Sequence, residues 1–97
     1  MTQINPYSMR QAILRELKEM RGAPLRCQDL LAVTSEPALT LADPAAVRGQ
    51  WSELQQFGYV EAIPGFGGMY CRISERGLRQ LAPEFPQDPF VWGPAAK

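Results

Sequence analysis

The sequence predicts an α+β domain in which helices precede a two-stranded β-hairpin and one short final helix. Three observations between residues 44 and 81 indicate this order. Apolar residues recur at helical spacing from Val47 to Leu54. Two short apolar runs then flank a turn rich in glycine, which is the pattern of a hairpin. Ser74, a residue type that favours helix N-termini, precedes a further apolar pair at helical spacing.

The helix that contains Val47 has well-marked ends. Asp43 can accept a hydrogen bond from a first-turn amide, and Pro44 loses nothing there by lacking an N–H. Gly58 can adopt the left-handed conformation that ends many helices. The apolar stripe of this helix consists of Val47, Trp51, Leu54 and Phe57. We expect this stripe to lie in the core and the opposite side to be exposed.

Two further helices are predicted upstream. Asn5-Pro6 begins the first by the same logic, and Gly22 ends it. Its apolar stripe consists of Met9, Ile13, Leu14, Leu17 and Met20. Leu25-Arg26 predicts a very short strand before a second helix over about 27–33. Arg26 is a poor N-terminal cap for that helix, because its side chain accepts no hydrogen bond.

The connection over residues 34–42 is longer than the turn of a compact helix-turn-helix. We expect Leu39 and Leu41 to fill the core from this loop, which has room for a single helical turn. After the third helix, alternation predicts three inward-facing hairpin residues: Val60, Cys71 and Ile73. The final helix is expected to begin after Ser74 and to bury Leu78 and Leu81.

The sequence divides into a domain over residues 1–82 and a proline- and aromatic-rich C-terminal tail over residues 83–97. Four prolines prevent the tail from forming one regular helix. Its aromatic residues are Phe85, Phe90 and Trp92. A disordered tail is usually poorer in such residues. Two interpretations remain open: the tail folds back over its own core, or it docks onto a second copy or another protein.

The charge pattern gives a mixed indication of the partner. Ten basic and ten acidic side chains give a formal net charge of zero, which lacks the positive excess typical of nucleic-acid binders. Residues 10–26 carry five basic and two acidic side chains. Residues 29–61, which include the third helix, carry one basic and five acidic side chains. The segment expected to meet a partner is therefore acidic.

The residue inventory argues against an enzyme. The chain has no histidine and two cysteines, too few ligands for a structural zinc site, and we expect no cofactor. Cys27 and Cys71 are expected to be unpaired and to act as small hydrophobic residues. No carboxylate pair points to acid–base chemistry, and the hairpin glycines lack the Lys-Ser/Thr of a phosphate-binding loop. Without a signal-like or membrane-spanning segment, a cytoplasmic location is expected.

With these elements placed, residues 44–81 resemble the winged helix-turn-helix superfamily of bacterial transcription regulators. Its recognition helix has a core side that corresponds to Val47, Trp51 and Leu54. Gly58-Tyr59-Val60 is similar to its Gly-Leu-Val or Gly-Leu-Ile turn into the wing. Arg-Ile-Ser-Glu-Arg-Gly at 72–77 is similar to its Leu-Thr-Glu-x-Gly motif. The resemblance implies a winged helix: a three-helix core, a two-stranded β-hairpin wing and a short final helix.

The same resemblance implies double-stranded DNA as the partner and a role as a small transcription regulator or accessory DNA-binding factor. The third helix would meet the major groove through Ala45, Ala46, Arg48, Gly49, Gln50 and Ser52. Arg48 can make a bidentate contact with guanine, and Gln50 can make one with adenine. Phe66 at the wing tip and Arg72 on the wing complete the expected interface.

The chain departs from the family in two ways that favour an alternative. Gly49 stands where the family often has a basic or polar contact residue, and the wing tip has no lysine or arginine. With so few cations, a monomer is expected to bind DNA weakly at physiological salt, whereas a dimer would double the contacts. The alternative is a winged helix used as a protein-interaction module. Its partner, or a second copy of the chain, would bind Phe66, Phe85, Phe90 and Trp92.

Overall fold

The computed structural model describes residues 4–65, 67 and 69–94. This part of the chain forms six helices and a two-stranded antiparallel hairpin, so the predicted α+β class is confirmed. The elements are α1 (Pro6–Glu19), α2 (Cys27–Val33), α3 (Pro37–Thr40), α4 (Pro44–Gln56), β1 (Val60–Ala62), β2 (Cys71–Ile73), α5 (Glu75–Gln80) and α6 (Pro89–Trp92). None of these helices is long and apolar enough to cross a membrane.

Helix α1 lies at the centre of the fold and packs against α3, α4 and α6. The Asn5 side chain accepts a hydrogen bond from the Tyr7 amide at 2.7 Å, as its position before Pro6 predicts. The buried residues of α1 are Met9, Ala12, Ile13, Leu14 and Leu17. Met20 was expected among them, but it is only half-buried because α1 ends at Glu19.

Helix α2 begins without a side-chain cap from Arg26, as expected. Instead, the Asp29 carboxylate accepts a hydrogen bond from the Arg26 backbone amide at 3.0 Å and pairs with the Arg26 guanidinium. In the following connection, Leu39 is buried on the single turn of α3, as expected. The expectation for Leu41 was wrong: it is 74% exposed, because it lies just after that turn and faces away from Leu39.

The hairpin pairs Val60 with Ile73 and Ala62 with Cys71, in two strands of three residues each. Val60, Cys71 and Ile73 are buried, which confirms the predicted inward face. Leu25 exchanges two backbone hydrogen bonds with Cys71, at 3.0 and 2.8 Å. The very short strand predicted at Leu25 thus forms as a bridge on the far side of β2.

Helix α4 buries Val47, Trp51 and Leu54, and Asp43 caps it by accepting from the Ala45 amide at 3.0 Å. Phe57 was expected to extend this stripe, but it is 46% exposed. The helix ends at Gln56, so Phe57 follows the last turn instead of continuing the buried face.

Helix α5 buries a glycine where leucine was expected. Leu78 is 41% exposed, whereas Gly77 faces the hairpin. A β-carbon at Gly77 would lie 2.7 Å from Ile73 Cγ1 and closer still to the Tyr59 carbonyl oxygen. Because this close approach fixes which side of α5 is buried, Leu78, one residue later, turns toward solvent.

The C-terminal segment folds back over its own chain. Val91 in α6 has no exposed surface and belongs to the same hydrophobic core as α1 and α4. Phe90 and Trp92 are partly buried against that core. Of the two interpretations of the tail, the structure therefore agrees with folding back.

Candidate nucleic-acid interface

The exposed side of α4 lies opposite its buried stripe. Ala45, Arg48, Gly49 and Ser52 are exposed there, and Gln56, which the sequence reasoning missed, continues the row by one turn. We call these five residues the α4 outer face. Ala46 is exposed at its margin. Because three of the five side chains are small, the helix backbone can come close to a partner surface.

Arg48 supplies the positive charge of the α4 outer face. Its side chain is exposed and takes part in no ion pair among the residues that the structure describes. Burial raises the pKa of the Cys27 thiol, and the nearby Arg48 charge partly opposes this rise. Arg48 is therefore close enough to Cys27 for its charge to act on the thiol, and its exposed guanidinium is available to a ligand.

Gln50 lies on a different side of α4 from Arg48. It is half-buried, and its Oε1 atom accepts a hydrogen bond from Arg10 Nε at 2.7 Å. A bidentate contact with adenine needs both the oxygen and the nitrogen of the carboxamide, so Arg10 would first have to release the oxygen. The spacing contained this signal, since Gln50 is three residues after Val47 and four before Leu54, both in the core.

Arg72 is exposed on β2 and pairs with Glu61, its partner in the hairpin register, at 3.2 Å. Both side chains are almost half exposed, and surface pairs of this kind contribute only about 0–1 kcal/mol. Arg72 can therefore exchange Glu61 for a phosphate at small cost. Phe66, the remaining residue of the expected interface, lies outside the described residues.

Most of the basic side chains have acidic partners. Six arginines form ion pairs within residues 4–65, 67 and 69–94: Arg10, Arg15, Arg26, Arg72, Arg76 and Arg79. Lys18, Arg21 and Arg48 form none there. The α4 outer face is thus a nearly neutral surface with one free cation, instead of a strongly basic patch.

The two thiols have no activated character. Both cysteines are free, which confirms that they are unpaired, and burial raises the pKa of each. Cys71 is fully buried, and its Sγ lies 3.7 Å from Gln55 Oε1. Across the described residues, no group of three or more histidine, cysteine or acidic side chains is placed to hold a metal ion.

The aromatic residues of the C-terminal segment differ in their availability to a partner. Phe90 stacks on Tyr59 with ring centroids 5.6 Å apart, and the Trp92 indole donates to the Gln80 carbonyl at 3.2 Å. Phe85 is 43% exposed. Trp92 and Leu81 also line an open groove of about 410 Å³ beside the C-terminal half of α1. Within this segment, Phe85 and the groove side of Trp92 remain accessible, and the other lining residues of the groove are mostly charged.

No family model, curated protein or solved structure matches this chain.

Proposed function

We propose that this chain is a small DNA-binding protein of winged-helix type, a transcription regulator or accessory factor that inserts α4 into the major groove. The observation that carries the proposal is the α4 outer face, an exposed helix side with the unpaired cation Arg48 at its edge. A helix of ordinary diameter fits the major groove of B-DNA, which is about 12 Å wide.

The order and pairing of the elements support the winged-helix assignment. α4 leads directly into the β1–β2 hairpin, and α5 follows that hairpin. The Leu25 bridge ties the start of α2 to β2, and α4 packs against both α2 and β1. In this proposal β1–β2 is the wing and lies against the DNA backbone, with Arg72 facing phosphate.

The expected DNA contacts follow from the exposed side chains. Arg48 reads a guanine edge through its paired donors, and Ser52 and Gln56 make single hydrogen bonds further along the groove. Arg72, the cation expected at a phosphate, would release about one counterion, which gives a shallow log–log salt dependence with a slope of about −0.9 for a monomer. We therefore expect weak binding that is measurable at low salt.

Fluorescence anisotropy with a labelled random duplex, at a series of salt concentrations, tests this proposal. Arg48→Ala should weaken binding because it removes the expected base contact, while the salt slope, which depends on phosphate contacts such as that of Arg72, should change little. Lys18→Ala is the matched control, because it removes another exposed, unpaired cation that lies on α1. Absence of duplex binding at low salt, or equal losses in the two variants, would contradict the proposal.

The ion pairing supports the second candidate, a protein-interaction module. With six arginines paired, the accessible surface offers apolar groups as readily as charge, including Leu41 at 74% exposure and Val33 at 60%. In that case Arg48→Ala has no effect, whereas Phe66→Ser or Phe85→Ser abolishes association with a second copy or a partner. Light scattering of these variants, beside the anisotropy measurement, separates the two candidates.

A further inference from the structure

Arg10 connects the C-terminal segment to α4. Its Nη1 donates to the Phe90 carbonyl at 2.6 Å, and its Nε donates to Gln50 Oε1 at 2.7 Å. Its Nη2 lies 3.6 Å from Glu53, which is also on α4. The guanidinium lies 4.1 Å from the centre of the Phe90 ring, and the side chain is only 12% exposed. One rigid planar group thus holds both elements.

The same segment also holds the turn that joins α4 to β1. The Phe90 ring lies 4.7 Å from Phe57 and stacks on Tyr59. The Tyr59 hydroxyl donates to Asp88, which also pairs with Arg76 at 3.5 Å. We call residues 88–92 the strap. The strap contacts the end of α4 directly, and it is connected to the middle of α4 through Arg10.

The strap is a short segment with a largely exposed connection, although Val91 within it is fully buried. In its connection to α5, residues 83–87 are exposed, whereas Leu81 and Ala82 are half-buried. α6 is a single helical turn, and short segments with exposed connections open at lower free energy than the core. Opening withdraws Phe90 from Arg10 and thereby loosens the hold of Arg10 on Gln50.

We infer that the strap and α4 are energetically coupled through Arg10, so that docking of residues 88–92 controls how firmly α4 is held for its partner. The coupling is reciprocal, because an interaction that stabilises one element through Arg10 must stabilise the other equally. For the proposed function this makes the strap a regulatory element, since any ligand that displaces it loosens the α4 outer face. That last consequence alone rests on DNA binding.

Amide hydrogen exchange of the folded full chain, followed by NMR, measures the coupling without DNA. Gln50→Ala removes the hydrogen bond between Arg10 and α4 and leaves the longer Glu53 contact in place. It should speed exchange of the Val91 and Trp92 amides and of the Trp92 indole by several-fold to about a hundredfold. Ser52→Ala, on the exposed side of the same helix, is the matched control and should leave these rates unchanged.

Arg10→Met tests the link itself, because methionine keeps the apolar stem and removes the hydrogen bonds. It should speed exchange in both the strap and the second half of α4. Arg15→Met removes another arginine of α1, whose two donors bond Glu36, and should leave exchange in the second half of α4 unchanged.

Two results would overturn the inference. One is unchanged strap exchange in Gln50→Ala. The other is equal acceleration of all core amides, including Leu30 in α2, which would report a loss of global stability instead of coupling. Failure to bind duplex DNA would refute the proposed function and leave the exchange result unaffected, so the two failures are distinguishable.

Discussion

Gly77→Ala tests the close contact between α5 and the hairpin. A methyl group at residue 77 would lie 2.7 Å from Ile73 Cγ1, whereas favourable carbon–carbon contacts are about 3.5–4.0 Å. Helix propensity alone favours alanine by about 1 kcal/mol, while overpacking a core costs about 1–3 kcal/mol or more. The methyl group also meets the Tyr59 carbonyl, which cannot rotate away as a side chain can. We therefore expect a net loss of about 2 kcal/mol in the free energy of unfolding.

Gly49→Ala is the matched control, since it makes the same change in a helix where a β-carbon would meet nothing within 4 Å. It should raise the free energy of unfolding by about 0.5–1 kcal/mol. Urea denaturation followed by tryptophan fluorescence should therefore move the two midpoints in opposite directions. In thermal unfolding, Gly77→Ala should lower Tm by roughly 8–16 °C. A Gly77→Ala variant as stable as the wild type would refute the placement of α5 against Tyr59.

Three other predictions follow from the core, the strap and the α4 outer face. Trp51→Ala should cost about 3–5 kcal/mol, and a Tm within a degree or two of wild type would contradict the burial of Trp51. The Tyr59 hydroxyl holds the pKa of Asp88 below its ordinary value, while burial raises the pKa of Tyr59 from 10.0 to about 12. The stability that Asp88 contributes is therefore lost in acid, as the pH falls through its lowered pKa. The stability that Tyr59 contributes is lost as the pH rises from 10 toward 12. Trp92 fluorescence should report both losses, and Tyr59→Phe should remove the loss at alkaline pH. Gly49→Arg should strengthen duplex binding and steepen the salt slope by about 0.9, and unchanged affinity would count against α4 as the DNA contact.

Local signals predicted much of the fold. Asn5, Asp43 and Ser74 cap the helices that follow them, because each combines an acceptor side chain with a favourable position in the sequence. Alternation in the hairpin predicted the inward face of β2, because successive side chains of a strand point to opposite sides and only one side meets the core. These features depend on residues within a few positions of one another.

Features that depend on distant contacts were missed. Leu78 is exposed because Gly77 meets Tyr59 and Ile73, and nothing in the spacing of α5 indicates that approach. Gln50 was assigned to the DNA side although its spacing from Val47 and Leu54 indicated the core edge, and its hydrogen bond with Arg10, forty residues earlier in the chain, was not foreseen. A side chain at the edge of a buried helical stripe can be either buried or exposed. Tertiary hydrogen bonds decide which of the two it is.

The joining of α1 to α6 also has a consequence for synthesis. The hydrogen bonds from Arg10 to Phe90 and from Gln11 to Val91 each span eighty residues of sequence. At a translation rate of about 5–20 residues per second, roughly 4–16 s pass between the synthesis of α1 and that of the segment that covers it. During that interval, the part of the apolar surface of α1 that packs against α6 is not yet covered. Contacts this far apart also slow folding, because a long loop must close before they form.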